Sequence, residues 1–204
     1  MEEKPPALPL PLRYLALGDS YTIGEGVPLF RSFPYQAVQE LRRSGIPVSA
    51  PEILARTGWT TGELEAAMSG YVFQPPYDFV TLLIGVNNQY RGKSVDTYVP
   101  EFRRLLEAAI GLAGSAANRV AVLSIPDWGA TPFAEGRDQP SIYAAIDAYN
   151  AANRQLTEAA GAQYIDITPG SRQVAEQARL VTEDGLHPSP EAYREWVVPL
   201  VKTM

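Results

Sequence analysis

The chain has 204 residues, of which 46% are apolar; it contains no cysteine and a single histidine, and its net charge is −6. The apolar content predicts a folded chain rather than a disordered one. The absence of cysteine excludes disulfides, thiol nucleophiles and thiolate metal sites. Lys and Arg are scattered, which argues against nucleic acid as a partner, and no run of about 18 apolar residues predicts a membrane span.

Residues 1–11 are Pro-rich, and we interpret them as a tail that precedes one domain over residues 12–204. Glu2 and Glu3 stand where a signal peptide carries positive charge, so we expect a cytoplasmic protein. A chain whose signal peptide had been removed would give the same pattern.

The first half of the chain alternates strand with helix. Residues 13–17 form a short apolar run that predicts a buried strand, and a helix is expected over residues 33–43. Residues 48–54 predict a second strand, which Pro51 favours at an edge of the sheet. Residues 79–84 have the strongest strand pattern in the chain.

The second half continues the alternation. An amphipathic helix has apolar residues at helical spacing, at Val99, Phe102, Leu105, Leu106, Ala109 and Ile110. Residues 120–125 predict a buried strand, Asp138 caps a long helix that ends at Gly161, and residues 164–167 predict a last short strand. Ser189 and Pro190 then open a terminal helix.

Strands separated by helices predict a three-layer α/β/α domain built on a parallel sheet of about five strands. In such sheets ligands bind beyond the carboxyl ends of the strands, so the residues that follow each strand are the candidates for function.

Ser20 follows the first predicted strand, within Gly18-Asp19-Ser20-Tyr21. A glycine-led turn at this place can present the hydroxyl at the carboxyl edge of the sheet, where a base could activate it as a nucleophile. The alternative is that Ser20 only caps the next turn, which is a common role for serine.

Asp184 and His187 lie near the other end of the chain, within Asp184-Gly185-Leu186-His187-Pro188. Their three-residue separation lets the carboxylate accept a hydrogen bond from one imidazole nitrogen and leaves the other free to deprotonate a serine. As the only histidine, His187 is the one candidate for a general base near neutral pH. The alternative is a structural histidine.

Two loops offer hydrogen-bond donors for an oxyanion. Gly58 precedes Thr60-Thr61-Gly62-Glu63, a capping-box pattern, and its N–H can point outward there. Asn87 follows the strongest strand and can donate its side-chain amide. The alternatives are an ordinary loop glycine and an asparagine that bonds its own turn.

Together these motifs resemble the four blocks of the SGNH hydrolases, also called GDSL-type esterases. The blocks occur in the family's order: Gly18-Asp19-Ser20, then Gly58, then Gly85-Val86-Asn87-Asn88, then Asp184-Gly185-Leu186-His187. The resemblance implies a flavodoxin-like sheet. It also implies Ser20 as nucleophile, His187 as base and then acid, Asp184 as its support, and an oxyanion hole made by Ser20, Gly58 and Asn87.

Two positions depart from the family's pattern. Tyr21 replaces the leucine of the name, and Asn88 stands where the third block usually has aspartate, a change that bears on the hydrogen bonds behind the donor Asn87. The G-x-S-x-G elbow of the α/β-hydrolase fold is missing, and glycine-rich patterns at Gly24 and Gly92 do not complete a nucleotide-binding loop.

Three aromatic residues follow strand ends and could line a substrate pocket: Trp59, Tyr90 and Trp128. Simple packing of loops is the alternative for each. We expect a carboxylic ester hydrolase for small or short-chain acyl groups, among them acetyl groups on carbohydrates, that needs no cofactor and no metal. An acyltransferase that forms the same acyl-enzyme and a catalytically silent binding protein are the alternatives.

Overall fold

The computed structural model describes residues 10–204, which are built around a five-stranded parallel sheet. In chain order the strands are β1 (Tyr14–Gly18), β2 (Glu52–Ala55), β3 (Phe79–Leu83), β4 (Val120–Leu123) and β5 (Gln163–Ile165). Across the sheet their order is β2-β1-β3-β4-β5. The chain therefore leaves β1 toward one edge and returns past it to β3, and ligand sites form where connections diverge in this way.

The α-helices are α1 (Ser20–Ile23), α2 (Phe33–Arg43), α3 (Thr61–Gly70), α4 (Val86–Tyr90), α5 (Val95–Leu112), α6 (Gln139–Ala159), α7 (Thr168–Arg172) and α8 (Pro190–Leu200). Helix α2 packs against α8, and α5 packs against both α3 and α6. Because parallel crossovers are right-handed, the reversal of direction after β2 puts α2 and α3 on opposite faces of the sheet. This is the three-layer α/β/α fold that the sequence predicts.

The central strands have a different environment from the edge strand. All residues of β1, β3 and β4 are buried, whereas those of β2 are half-buried. Strands that are covered on both faces have apolar residues at nearly every position, which is why the sequence of residues 79–84 predicts a strand so clearly. The edge position that Pro51 indicates for the second strand is confirmed.

Four strands are shorter than their patterns predict. The strand expected over residues 79–84 ends at Leu83, and the one expected over residues 120–125 ends at Leu123. The second was expected over residues 48–54, but β2 begins at Glu52, and Val48 forms only an isolated bridge with Leu12. Pro51 has no N–H to donate to a ladder, which favours a strand that begins after it. The last strand was expected over residues 164–167 but ends at Ile165, because the Ile167 N–H donates to the Ser124 hydroxyl at 2.8 Å.

Both predicted helix caps are confirmed. The Asp138 carboxylate accepts from the Ser141 N–H at 3.2 Å, and the Ser189 hydroxyl accepts from the Ala192 N–H at 3.3 Å. Most of the predicted tail, residues 1–9, lies outside the described residues. No helix within residues 10–204 has the length and apolar character to cross a membrane.

Candidate active site

Ser20 is the first residue of α1, directly beyond the carboxyl end of β1. The turn requires glycine, because a Cβ at Gly18 would collide with the Leu83 carbonyl oxygen and the Thr22 hydroxyl. Asp19 then caps the helix, since its Oδ1 accepts from the Tyr21 N–H at 3.0 Å. These contacts hold Ser20 at the edge of the sheet.

The Asp184 carboxylate binds the His187 imidazole, with 2.6 Å between Oδ2 and Nδ1. Its other oxygen, Oδ1, accepts from the N–H groups of Leu186 at 2.8 Å and His187 at 3.0 Å, and from the Thr182 hydroxyl at 2.7 Å. Gly185, with φ at +70°, allows the chain to turn tightly between them. The carboxylate is therefore oriented by a short local segment, and it binds the imidazole from there.

The electrostatics of this pair favour an ionised carboxylate. Burial raises the pKa of Asp184, but the hydrogen bonds from the His187 imidazole and N–H, the Leu186 N–H and the Thr182 hydroxyl outweigh it and hold that pKa well below its usual range. An ionised oxygen opposite Nδ1 favours the imidazole tautomer with its proton on Nδ1. That tautomer leaves Nε2 as a proton acceptor.

Ser20 and His187 line the same cavity of about 150 Å³, at the carboxyl edge of the sheet. The other lining residues are Tyr21, Thr57, Gly58, Val86, Asn87, Tyr90, Trp128, Phe133 and Leu186. Within the described residues, the lining includes no Asp, Glu, Lys or Arg, and neither the Ser20 hydroxyl nor Nε2 of His187 has a hydrogen-bond partner. The cavity therefore presents a serine and an imidazole in uncharged surroundings.

Gly58 lines this cavity in the left-handed conformation, with φ at +81°. Its carbonyl oxygen accepts from the Arg91 guanidinium at 2.6 Å, while its N–H has no acceptor among residues 10–204. The predicted capping box follows it, with the Glu63 carboxylate accepting from the Thr60 N–H at 2.8 Å. An N–H without a protein acceptor is available to a bound oxyanion.

Asn87 is the second residue of α4, a short helix that starts directly beyond β3. Its amide donates to the Trp59 carbonyl oxygen at 3.0 Å and to Oδ2 of Asp19 at 3.3 Å. Burial raises the pKa of Asp19 to about 7, against the lowering effect of its bonds from the Tyr21 N–H and Asn87. The structure thus brings Asn87 to the cavity beside Ser20 and Gly58, with its amide held by the residues around it.

The sequence profile of the GDSL-like Lipase/Acylhydrolase family matches residues 16–195, which include all of these residues. The chain belongs to this family. It is a carboxylic ester hydrolase of the GDSL type.

Solved structures agree with this assignment in fold. Axe2, an acetylxylan esterase from Geobacillus stearothermophilus, has a TM-score of 0.71 and 19% identity over 94% of this chain and 93% of its own. The acetyl xylan esterase AlAXEase has a TM-score of 0.74 and 16% identity, over 95% and 100%. Esterase EstA from Pseudoalteromonas sp. has a TM-score of 0.67 and 16% identity, over 94% and 95%. No curated protein sequence matches the chain.

Both departures from the GDSL-type pattern have a structural role. The Tyr21 ring packs against the His187 ring, with centroids 5.3 Å apart, and so supports the imidazole from one side. Asn88 is fully buried and bonds to Thr61 through both ends of its amide, with Oδ1 accepting at 3.0 Å and Nδ2 donating at 2.6 Å. The hydrogen bonds behind Asn87 are thus present without the usual aspartate.

Of the three aromatic residues expected at the pocket of this GDSL-type hydrolase, Tyr90 and Trp128 line the cavity. Trp59 is not among its lining residues; its side chain packs against the hydrophobic core, and only its carbonyl reaches Asn87. Phe133 and Leu186 line the cavity but were missed. Leu186 could have been found, because it lies between Asp184 and His187 in the sequence, whereas Phe133 has no local signal.

Tyr90, Trp128 and Phe133 form one aromatic cluster, with ring centroids 5.2–6.1 Å apart. The Trp128 indole N–H donates to the side-chain oxygen of Gln89 at 2.7 Å, which fixes its ring. In the part of the chain that the structure describes, no three His, Asp or Glu side chains come together as a metal-binding group.

Proposed function

We propose that this GDSL-type hydrolase cleaves esters of small or short-chain acyl groups through an acyl-enzyme on Ser20. The observation that carries the proposal is one shared cavity, lined by Ser20, by the imidazole that Asp184 supports, and by Gly58, whose N–H has no acceptor within residues 10–204. A nucleophile, a base and an oxyanion donor in one cavity are the groups that acyl transfer needs.

In the proposed reaction the Ser20 hydroxyl attacks the ester carbonyl carbon while Nε2 of His187 takes its proton. The tetrahedral intermediate then collapses, and the imidazolium gives the proton to the leaving alcohol. Water attacks the acyl-enzyme with His187 again as base, which releases the acid and restores Ser20. Asp184 stabilises the imidazolium in both halves of the reaction without itself taking the proton.

The oxyanion would accept hydrogen bonds from the N–H groups of Ser20 and Gly58 and from the Asn87 amide. Both hydrogens of that amide are shared with protein acceptors, and the bond to Asp19 is long at 3.3 Å. The negative charge that develops on the oxyanion makes it a stronger acceptor than the neutral carbonyl oxygen of the bound ester. The amide therefore donates to it most strongly in the transition state.

The cavity supports a small, uncharged acyl group. A protein cavity of roughly 150 Å³ accommodates one benzene molecule, so an acyl chain longer than a few carbons would extend into solvent. The exposed rings of Tyr90 and Phe133 offer an apolar surface for the alcohol portion. Because similar structures include acetylxylan esterases, acetylated carbohydrates belong among the substrates we propose.

A phosphonate probe tests the acyl-enzyme. We expect one covalent adduct, at Ser20 by peptide mass spectrometry, and none in Ser20→Ala, which should keep its fold and lose several orders of magnitude in rate. The matched control Ser69→Ala, an exposed serine on α3, should label and turn over normally. A folded protein that neither labels nor hydrolyses esters would instead be a silent binding protein.

A substrate panel tests the acyl group and the acceptor. Among p-nitrophenyl esters we expect kcat/KM to be highest at about two to four acyl carbons and to fall for longer chains, with acetylated xylo-oligosaccharides assayed beside them. A maximum at long chains would contradict the size argument. Product analysis with added alcohols separates hydrolysis from transfer, since only an acyltransferase would form the new ester as main product.

A further inference from the structure

Asn88 and Thr61 form a fully buried pair that joins two segments of the site. The Thr61 N–H donates to Oδ1 of Asn88 at 3.0 Å, and Nδ2 of Asn88 donates back to the Thr61 hydroxyl at 2.6 Å. Asn88 is adjacent to Asn87, and Thr61 opens α3 three residues after Gly58. The pair therefore joins the segment that carries the glycine N–H to the helix that carries the amide donor.

Glu101, on α5, sets the direction of the hydrogen bond between the Thr61 hydroxyl and Asn88. The Thr61 hydroxyl donates to its Oε2, and Nδ2 of Asn88 lies 3.3 Å from the same oxygen. A hydroxyl has one hydrogen, so a Thr61 hydroxyl that donates to Glu101 can only accept from Asn88. The carboxylate and the Thr61 N–H thus favour the same orientation of the Asn88 amide, with Nδ2 toward Thr61 Oγ1.

The network contains one negative charge and a nearby cation. Nζ of Lys93 lies 3.8 Å from Oε2 of Glu101, and the Glu101 side chain is 25% exposed, which leaves the carboxylate partly solvated. On the other side, Asn88 and Thr61 are completely buried. A second carboxylate inside this network would find neither a free donor nor solvent.

We propose that Glu101 is a positioning residue for ester hydrolysis: through Thr61 and Asn88, its carboxylate holds the Gly58 N–H and the Asn87 amide at the spacing that an oxyanion requires. The inference rests on the proposed function, which assigns those two donors. Glu101 acts only through other residues, since it is not among the residues that line the cavity.

Asn88→Asp tests the charge requirement directly. The substitution puts a carboxylate oxygen where Nδ2 stands, 2.6 Å from the Thr61 hydroxyl and 3.3 Å from the Glu101 carboxylate. We expect kcat to fall between about tenfold and about a hundredfold with KM nearly unchanged, because a displaced donor weakens mainly the transition state. Adding Glu101→Gln returns the network to one carboxylate and one amide, and should restore most of kcat.

Two more variants keep the test independent of folding. Thr61→Val removes the bridging hydroxyl but adds no charge and keeps the backbone N–H, so it should fold and lower kcat to a similar extent. Glu65→Gln is the matched control, since Glu65 pairs with Arg104 at 2.6 Å between the same helices, α3 and α5, at an exposed position. It should leave kcat unchanged.

The inference is overturned if Asn88→Asp or Thr61→Val, folded by circular dichroism, keeps the wild-type kcat. It is also overturned if the double variant folds but does not recover, or if Glu65→Gln costs as much as Thr61→Val. Ser20→Ala and Asn87→Ala are assayed in parallel. If those two retain activity, the proposed function itself fails; if they lose it while the network variants do not, only the role of Glu101 fails.

Discussion

The two halves of the site are held in different ways. The Asp184 carboxylate is oriented by contacts within residues 182–187, and its side chain is 40% exposed. Gly58 and Asn87, the proposed oxyanion donors, are held by contacts between residues far apart in the chain, such as the fully buried pair of Thr61 and Asn88, 27 positions apart. One half is a local turn near the surface, and the other is a tertiary network.

Because the two halves are held differently, a substitution in each half should affect a different property. In the local turn, the carboxylate is partly solvated and its contacts come from residues next to it in the sequence. A substitution there should therefore lower the reaction rate and leave the fold intact. In the buried network, a lost partner leaves an unsatisfied polar group, so rate and stability should change together.

Asp184→Asn should have the largest effect. The amide keeps an oxygen for the Leu186 and His187 N–H groups but puts a donor opposite Nδ1, which reverses the tautomer of the imidazole. We expect kcat to fall on the order of 10⁴-fold with a wild-type circular dichroism spectrum. Asp138→Asn, at the cap of α6, is the control and should be active. A loss of less than about tenfold would separate Asp184 from the proposed chemistry.

Asn87→Ala should come second. Removing one oxyanion donor costs on the order of 3 kcal/mol in the transition state, so kcat should fall about a hundredfold or more while KM changes little. Its melting temperature should also drop, because the Trp59 carbonyl loses its donor. Asn118→Ala is the control, because Asn118 precedes β4 at the amino ends of the strands, away from the cavity. A folded variant with normal kcat would remove Asn87 from the site.

Thr182→Val should have a smaller effect on kcat. The substitution removes one of the three donors to Oδ1 of Asp184, and the two N–H groups and the bond to His187 are retained. A single hydrogen bond contributes about 1 kcal/mol, so kcat should fall about fivefold, with little loss of stability. A drop as large as that of Asp184→Asn would show that the local turn is less self-sufficient than its geometry indicates.

Asp19→Asn should change the pH dependence of stability. Burial raises the pKa of Asp19 to about 7, so the folded state binds a proton that the unfolded state releases, and its stability falls as pH rises from about 4 to about 7. Above about pH 5 Asp184 adds a constant stabilisation and no pH dependence, because a carboxyl with a lowered pKa loses its contribution only as pH falls further. Between about pH 5 and 8 the Tm of the wild type should fall a few degrees more than that of the variant. If the Tm of the wild type and of the variant changed with pH in the same way, the raised pKa of Asp19 would be contradicted.

Much of the fold could be predicted because its signals are local. The apolar run of residues 79–84 predicted β3, and Asp138 and Ser189 predicted the starts of α6 and α8. Predictions from the sequence were wrong where a residue distant in the chain decides where an element ends. The last strand stops at Ile165 because the Ile167 N–H donates to Ser124, 43 residues away. The short helix α4 has no sequence period of its own.

The same division applies to the site. Asp184 and His187 could be paired from their spacing, because a three-residue turn brings side chains together whatever surrounds it. Trp59 was expected at the pocket from its place near a strand end, but a chain position does not tell which way an indole points. The contact between Tyr21 and His187 joins residues from opposite ends of the chain, and no local pattern could indicate it.

The order of strands and helices, the glycine turn before Ser20 and the local geometry around Asp184 follow from the amino-acid sequence, because periodicity, caps and turns depend on neighbours in the chain. The position of Phe133 at the cavity and the contact of Glu101 with Thr61 follow from the folded chain alone. Those meetings depend on how the parallel strands are ordered and how α3 and α5 pack, which bring together residues that share no local pattern.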